Sequence, residues 1–588
     1  MRRAVAGLAE GGVGYRRGMR SLRRAVAALL LMTASGAPVL GQEPAWLTSS
    51  SASCPLMRRE FDLAARPVRA VMRIVGLGHF QVRVNGQRAG DAAIHQPWSQ
   101  YDQTIYYEEI DVTGLMTQGR NALGVMLGNS FWHNPPSPAD RYHKGGAETD
   151  FGTPFLLRVE LDIQMADGQP MRIVSDEQWR TSPGPVTFSH VFGGEDYDAR
   201  LEPLGWDRPG FDDANWSAAV RAPAPAARLE RQFWPPVREQ EVFPAREVVS
   251  AGPGVYHVFF GQNASAMLRF TVEGQPGQSF TVQPSEYRTE DGAFMKPRWG
   301  APSLFRYTLK GGGPESHQWL FHYQGFQAVE IIGAVPAGQP NPDGLPVLQQ
   351  LDMVHVRIDL PAVGTLETSS ELYNRTHRLI DWAMRSNMSY VLTDCPHREK
   401  LGWLECAYLL APTFSYRYDC RDWFAKIARD IREAQEPTGR ILTVAPSYAG
   451  TRFPGAFHWT VEWGAAGALL PWQHYVWYGD AQILRDNFDC MRRFVDYVAS
   501  QSTDGIAPGG LGDWYDYGHG QPPGPSRFTP TELTATAVQV MCIDAVIQAA
   551  EVLRRPEDVA RYPTLREKTA SGFLRRFYDR QRKVFAHT

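Results

Sequence analysis

The chain has 588 residues, 43% of them hydrophobic and 21% charged, which is the composition of a globular protein long enough for about three or four domains. Its 60 basic and 63 acidic residues leave a formal net charge of −3, which excludes the basic field of a nucleic-acid-binding protein. The six cysteines, at 54, 395, 406, 420, 490 and 542, form neither a CxxC pair nor a dense framework, and no HExxH occurs. Disulfide scaffolding and a zinc site are therefore not expected, and no cofactor is implied beyond a structural calcium ion held by acidic loops.

In chain order, Arg20, Arg23 and Arg24 precede the apolar run Ala25–Met32, and Val39-Leu40-Gly41 precedes Gln42. This reads as a signal peptide over residues 1–41, with Met19 as an alternative start, and implies export to the periplasm or the exterior. The run is too short to span a bilayer, and no other stretch suggests a membrane span. Cys54, the first cysteine, lies too far on for a lipoprotein anchor.

From 56 to 235 the pattern is β. Phe80, Val82 and Val84 alternate up to Asn85-Gly86, a hairpin turn, and a further strand is expected over 121–128. A second β unit is expected from 236 to 349, with Tyr256–Asn263 and Leu268–Val272 as strands and Asp291-Gly292 as a turn. The stretch 334–346, rich in Pro and Gly, reads as an exposed linker.

Beyond it, 350–588 reads as helical. Helices are expected over 371–390, on Leu372, Leu379, Trp382 and Ala383, and over 403–417, 421–434, 461–478, 531–553 and 563–580. Another begins at Asp480, a good N-cap before the repeat Leu484, Phe488, Met491, Val495 and Val498. Helices alternating with long aromatic-rich loops suit an α/α toroid.

Chemistry is concentrated in Asp394-Cys395-Pro396-His397-Arg398-Glu399-Lys400-Leu401-Gly402-Trp403-Leu404-Glu405, which sets three carboxylates beside an arginine and a tryptophan. Such a cluster suits acid–base chemistry on sugars, where one carboxyl delivers a proton and another activates water or attacks carbon. On composition alone the ordinary reading of such a segment is a solvated helix start with local ion pairs. Glu462-Trp463-Gly464 opens a helix, and Gly512-Asp513-Trp514-Tyr515-Asp516-Tyr517-Gly518 is a loop of acids and aromatics that could hold a sugar's hydroxyls and cover its apolar face.

The order DCPHREKLGW resembles the signature of bacterial α-L-rhamnosidases, whose commoner form reads roughly DCPQRxERLGWTGD. The resemblance extends upstream. NGxRxGD, EIDVT and GxNxLGVxLG, with Gly205-Trp206-Asp207 and Phe211–Trp216, resemble the galactose-binding-like β-sandwich of that family, a module with or without a sugar at its loop ends. FGQN at 260–263 and HYQGFQAVE at 322–330 resemble its concanavalin-like β-sandwich. The implied architecture is multidomain: two jelly-roll-like β-sandwiches followed by an all-α (α/α)6 barrel, of which about seven of some twelve helices are expected here, the N-terminal part only.

The implied function is inverting hydrolysis of terminal α-L-rhamnosyl groups from rhamnose-containing oligosaccharides, polysaccharides or glycosides. Glu399 matches the family's general acid, a role that calls for a raised pKa. Asp394 matches its sugar-binding aspartate, Trp403 a pocket aromatic, and Arg398 would orient the carboxylates; Glu462-Trp463 and Asp513-Trp514 match pocket-lining pairs. Glu399 aligns when counted back from Leu401-Gly402-Trp403 but not forward from Asp394. Cys406 stands where the family has its last aspartate, with Glu405 one residue earlier as a substitute. The catalytic base is expected beyond Thr588, with Asp513 and Glu462 as candidates within the chain. A rhamnose-glycan-binding protein that does not cleave, and a toroid lyase using a tyrosine or histidine base, are the alternatives.

Overall fold

The computed structural model describes residues 43–50, 54–134, 137–144, 151–152, 154–297, 301–447 and 453–585. The expected signal peptide over 1–41 lies outside the described residues.

The first unit packs a seven-stranded sheet on a six-stranded one. Strand His79–Val84 buries Phe80, Val82 and Val84 and leaves Gln81 and Arg83 half-buried, the period of two expected of a strand with one wet face. Asn85 and Gly86 turn it with φ of 52° and 81°, the doubly left-handed geometry of a tight hairpin, and Val84 pairs with Gln87. Gly119–Gly128 lies between this strand and Pro55–Leu63.

The second unit is built on an eleven-stranded sheet. Its strands are not all drawn from 236–349: Val186–His190 and Gly194–Asp198, from within the first span, join it, the latter in parallel with Leu304–Thr308. The two strands expected over 256–272 are one, Val255–Glu273, which bends at Gly261 (φ 81°) where the register slips between Phe259 and Ala264. A bulge lets one strand serve both ends of a curved sheet. The stretch 334–346 is not a free linker, because Val335 is buried and Val335-Pro336 pairs with Val347-Leu348. The β unit continues through Val347–Ile358, past the expected start of the helical domain at 350.

Eight α-helices are present among the described residues: α1 (Glu371–Ser386), α2 (Leu404–Arg417), α3 (Arg421–Ala434), α4 (Val461–Gly464), α5 (Ala466–Tyr478), α6 (Ala481–Gln501), α7 (Thr531–Val552) and α8 (Pro556–Phe577). Asp480 caps α6 by accepting from the Gln482 N–H at 2.8 Å. The helix expected over 461–478 breaks at Ala465, and α8 begins earlier than expected, with proline in its first turn, where its missing N–H is harmless. α1 stops at Ser386, short of the expected 390; the chain then makes a Met388–Leu392 bridge toward the acidic segment.

α5 is apolar on nearly every side because it packs against α2, α3 and α6 at once. α7 is long and apolar enough to cross a membrane, with a mean hydropathy of 1.5, yet half of that stretch is buried, between α6 and α8. On α1 the expected core positions divide. Trp382 packs on Phe243, whereas Leu372 and Leu379 are each 73% exposed and have no cover among the described residues.

Candidate active site

The acidic segment 394–403 is a loop wedged between the second β unit and α2. Pro396 breaks the backbone pattern, and Lys400 closes the loop with φ of 54°, its N–H donating to the Cys395 carbonyl at 3.2 Å. Two donors of the second unit grip it: the Gly325 N–H reaches the Pro396 carbonyl at 3.0 Å, and the Gln324 amide reaches the His397 carbonyl at 2.7 Å. The buried Lys400 ammonium donates to the Val191 carbonyl at 2.9 Å and lies 3.2 Å from His322 Nε2. Burial without a carboxylate partner holds that lysine well below its usual pKa. On the other side the loop lies flat on the strand-like segment 444–445. A side chain at Gly402 would sit 2.3 Å from the Ala445 carbonyl oxygen, so only glycine fits.

This clamp presents Glu399 to a cavity of about 330 Å³, a size suited to a small ligand. One turn on, Trp403 donates its indole N–H to Glu399 Oε2 at 2.7 Å. Lys144, brought in from the first β unit, places its Nζ 2.9 Å from Glu399 Oε1, and the Arg398 guanidinium lies 3.9 Å from the same oxygen. Burial pushes the Glu399 carboxyl up, but Lys144, Trp403 and Arg398 outweigh it and hold the group below the usual carboxylate range. This reverses the expectation of a raised pKa: in the free pocket Glu399 is ionised.

The raised carboxyls are its neighbours. Asp394, largely buried and repelled by Glu399, is pushed up to about 7, and its Oδ1 has no hydrogen-bond partner among the described residues. Glu405 is pushed up to about 8 by burial and by the charges of Glu462 and Asp513.

Of the residues expected from sequence, Asp394, Arg398, Glu399, Trp403, Glu405, Trp463 and Trp514 line the cavity. Glu462 and Asp513 do not. Glu462 is 3% exposed behind the wall and is occupied by the hydroxyls of Thr460 and, at 2.9 Å, Thr534. Burial raises it, and its charge acts on Glu405 rather than on the cavity. Asp513 is exposed to solvent, next to Trp514.

The walls are aromatic: Trp403 leans at a tilt against Phe453 with centroids 5.1 Å apart, and Phe457 meets Trp514 edge-on at 5.2 Å. Sequence reasoning missed Lys144, Phe453 and Phe457. The two phenylalanines have no motif around them, and Lys144 reaches the site only through the tertiary fold. Among the described residues no cluster of His, Cys, Asp and Glu is arranged to hold a metal ion. The arrangement is a sugar-sized aromatic box with three carboxylates in two protonation states, which is the equipment of acid–base chemistry on a glycosidic bond.

Three protein-family models match the chain: the alpha-L-rhamnosidase N-terminal domain over 65–241, the bacterial alpha-L-rhamnosidase concanavalin-like domain over 250–351, and the bacterial alpha-L-rhamnosidase 6 hairpin glycosidase domain over 361–588. An alpha-L-rhamnosidase of Formosa agariphila is 30% identical over 475 residues, which is 78% of this chain and 48% of that protein. The solved alpha-L-rhamnosidase from Dictyoglumus thermophilum superposes with a TM-score of 0.81 at 27% identity, covering 91% of this chain and 60% of its own. That of Streptomyces avermitilis, solved in complex with L-rhamnose, superposes with a TM-score of 0.79 at 29% identity, covering 90% of this chain and 49% of its own. The chain spans about half the length of the curated relatives it matches.

Proposed function

We propose, because this chain belongs to the bacterial α-L-rhamnosidase family, that its pocket removes terminal α-L-rhamnosyl groups from oligosaccharides, polysaccharides or glycosides by inverting hydrolysis. The observation that carries the reading is Glu399, held at the cavity wall by a clamped loop, with Asp394, Trp403 and Trp514 lining the same space. Glu399 passes a proton to the glycosidic oxygen as the bond from that oxygen to the anomeric carbon breaks. A water molecule attacks that carbon from the opposite face and loses a proton to a second carboxylate, so β-rhamnose is released first. Asp394, which lines the cavity, receives a sugar hydroxyl, and the indoles cover the apolar face of the ring. Of the two carboxylates within the chain considered as base, Glu462 is taken up by threonine hydroxyls, and Asp513, exposed to water, stands outside the cavity lining. Export through the 1–41 leader puts this activity in the periplasm or outside the cell.

A second reading, a rhamnose-glycan-binding protein that does not cleave, draws support from the ion pair that keeps Glu399 deprotonated. One experiment separates them: purified chain and Glu399→Gln are given p-nitrophenyl α-L-rhamnoside and a rhamnosyl disaccharide, with proton NMR of the first sugar released. Hydrolysis of the disaccharide lost in the variant, with β-rhamnose released first by the wild type, supports the enzyme. Rhamnose binding without turnover supports the binder.

A further inference from the structure

Lys144 stands out because it comes from a different unit of the fold and ends on the carboxylate that the reaction needs protonated. Its Nζ lies 2.9 Å from Glu399 Oε1 and 5.9 Å from the centroid of the Phe453 ring, on the cavity wall. In the proposed reaction Glu399 touches the glycosidic oxygen, the atom that joins rhamnose to the leaving sugar. A cation on that carboxylate is therefore within reach of the leaving sugar's substituents. A neutral leaving sugar leaves the ion pair intact, and the donor stays ionised. An anionic one offers Lys144 a second carboxylate-like partner.

We propose, building on the hydrolytic reading above, that Lys144 makes the pocket selective for rhamnose linked to an anionic sugar, whose uronate carboxylate or sulfate ester takes the lysine from Glu399 and leaves Glu399 free to hold the transferable proton. No bond other than the glycosidic one is made or broken. Lys144 keeps its three protons and exchanges one charge-assisted partner for another, and Glu399 takes a proton from solvent.

The groups facing Glu399 agree with this. Lys144, Trp403 and Arg398 favour its ionised form, while Asp394 beside it disfavours a second charge; Tyr142, Cys395 and Cys406 complete its surroundings. Lys144 and Arg398 both line the cavity beside Glu399, so two cations face the space that the leaving sugar enters, a setting that suits an anion.

The test compares three substrates of one linkage on the full chain: rhamnosyl glucuronate, its neutral methyl ester, and rhamnosyl glucose 6-sulfate. The expected result is a kcat/KM for one or both anions about tenfold above the ester, the scale of one interfacial charge pair. This preference should be lost in Lys144→Met, kept in Lys144→Arg, and weakened by salt in the wild type, which needs no variant to fold. The better anion identifies whether carboxylate or sulfate is the partner. Equal kcat/KM for all three, or a Lys144→Met effect that is the same on all three, overturns the proposal. If the chain hydrolyses neither these nor p-nitrophenyl rhamnoside, the hydrolytic reading fails, and the same three-way comparison of Kd by calorimetry decides the anion preference alone.

Discussion

The sharpest consequence of the site geometry is a pH profile that names the proton donor. Glu399 is held below the ordinary glutamate pKa by Lys144, Trp403 and Arg398, which outweigh its burial, so at pH 7 the free protein carries it ionised. Glu405, pushed up to about 8, is protonated in roughly nine molecules of ten at the same pH. Because kcat/KM reports the free enzyme, a Glu399 donor predicts a limb that falls about tenfold per pH unit and is already falling below the ordinary glutamate range, measured with a rhamnosyl disaccharide whose leaving group needs the proton. Glu399→Gln should then lose about 10²–10⁴-fold on that substrate and far less on p-nitrophenyl rhamnoside, whose leaving group departs unaided. Glu405→Gln should leave the position of the limb where it is, since Glu405 is uncharged across it. A profile flat to pH 8 that collapses in Glu405→Gln would refute the assignment and make Glu405 the acid.

Three further outcomes follow from the same contacts. Trp403→Phe removes the N–H that stabilises the Glu399 carboxylate, so the Glu399 pKa and the falling limb should move up in pH, read from the profile rather than from absolute rate. Gly402→Ala drives a methyl into the Ala445 carbonyl, a backbone atom that cannot step aside, and should lower stability by about 1–3 kcal/mol in thermal melts, together with activity, as the loop is displaced. Glu405 binds its proton more tightly folded than unfolded, so the stability it contributes is present below about pH 4.5 and is lost as pH rises through about 8. Glu405→Gln should therefore gain on the wild type by about 2–4 kcal/mol between pH 5 and 9, and parallel melting curves across that range would count against a buried, raised Glu405.

What could be read from the sequence was local. Asn85-Gly86 announces its hairpin because asparagine and glycine both accept the left-handed conformations a tight turn needs, and Asp480 announces α6 because its carboxylate meets an orphan N–H two residues on. Asp394, Glu399, Trp403 and Glu405 reach one cavity because they share one loop and one turn of helix. What was hidden depended on tertiary packing. Gly194–Asp198 joins the second sheet by a parallel pairing with a strand a hundred residues on, which no local pattern encodes. Glu462 sits at a helix start as an exposed charge would, but Thr460 and Thr534 take it inside. The sign of the Glu399 shift was missed for the same reason: its acidic neighbours are adjacent in sequence, and the lysine that overrules them is not.

Three lysines tie the helical unit to the β units, and their acceptors separate scaffold from chemistry. Lys426 of α3 donates to the carbonyls of Trp98 and Tyr390 at 2.7 Å each while paired with Asp430 at 2.6 Å, and Lys400 donates to the Val191 carbonyl. Apart from Asp430, which belongs to α3 itself, those acceptors are backbone oxygens that do not titrate, so these two lysines tie the units together without ending on a carboxylate of the acidic loop. Lys144 instead ends on a carboxylate that does titrate, and its side chain is only partly buried, so its position can respond to what enters the cavity. The first β unit is thereby part of the site's electrostatics: Lys144 is the largest of the contributions that oppose burial and hold Glu399 ionised, so removing it moves Glu399 toward the proton it must donate.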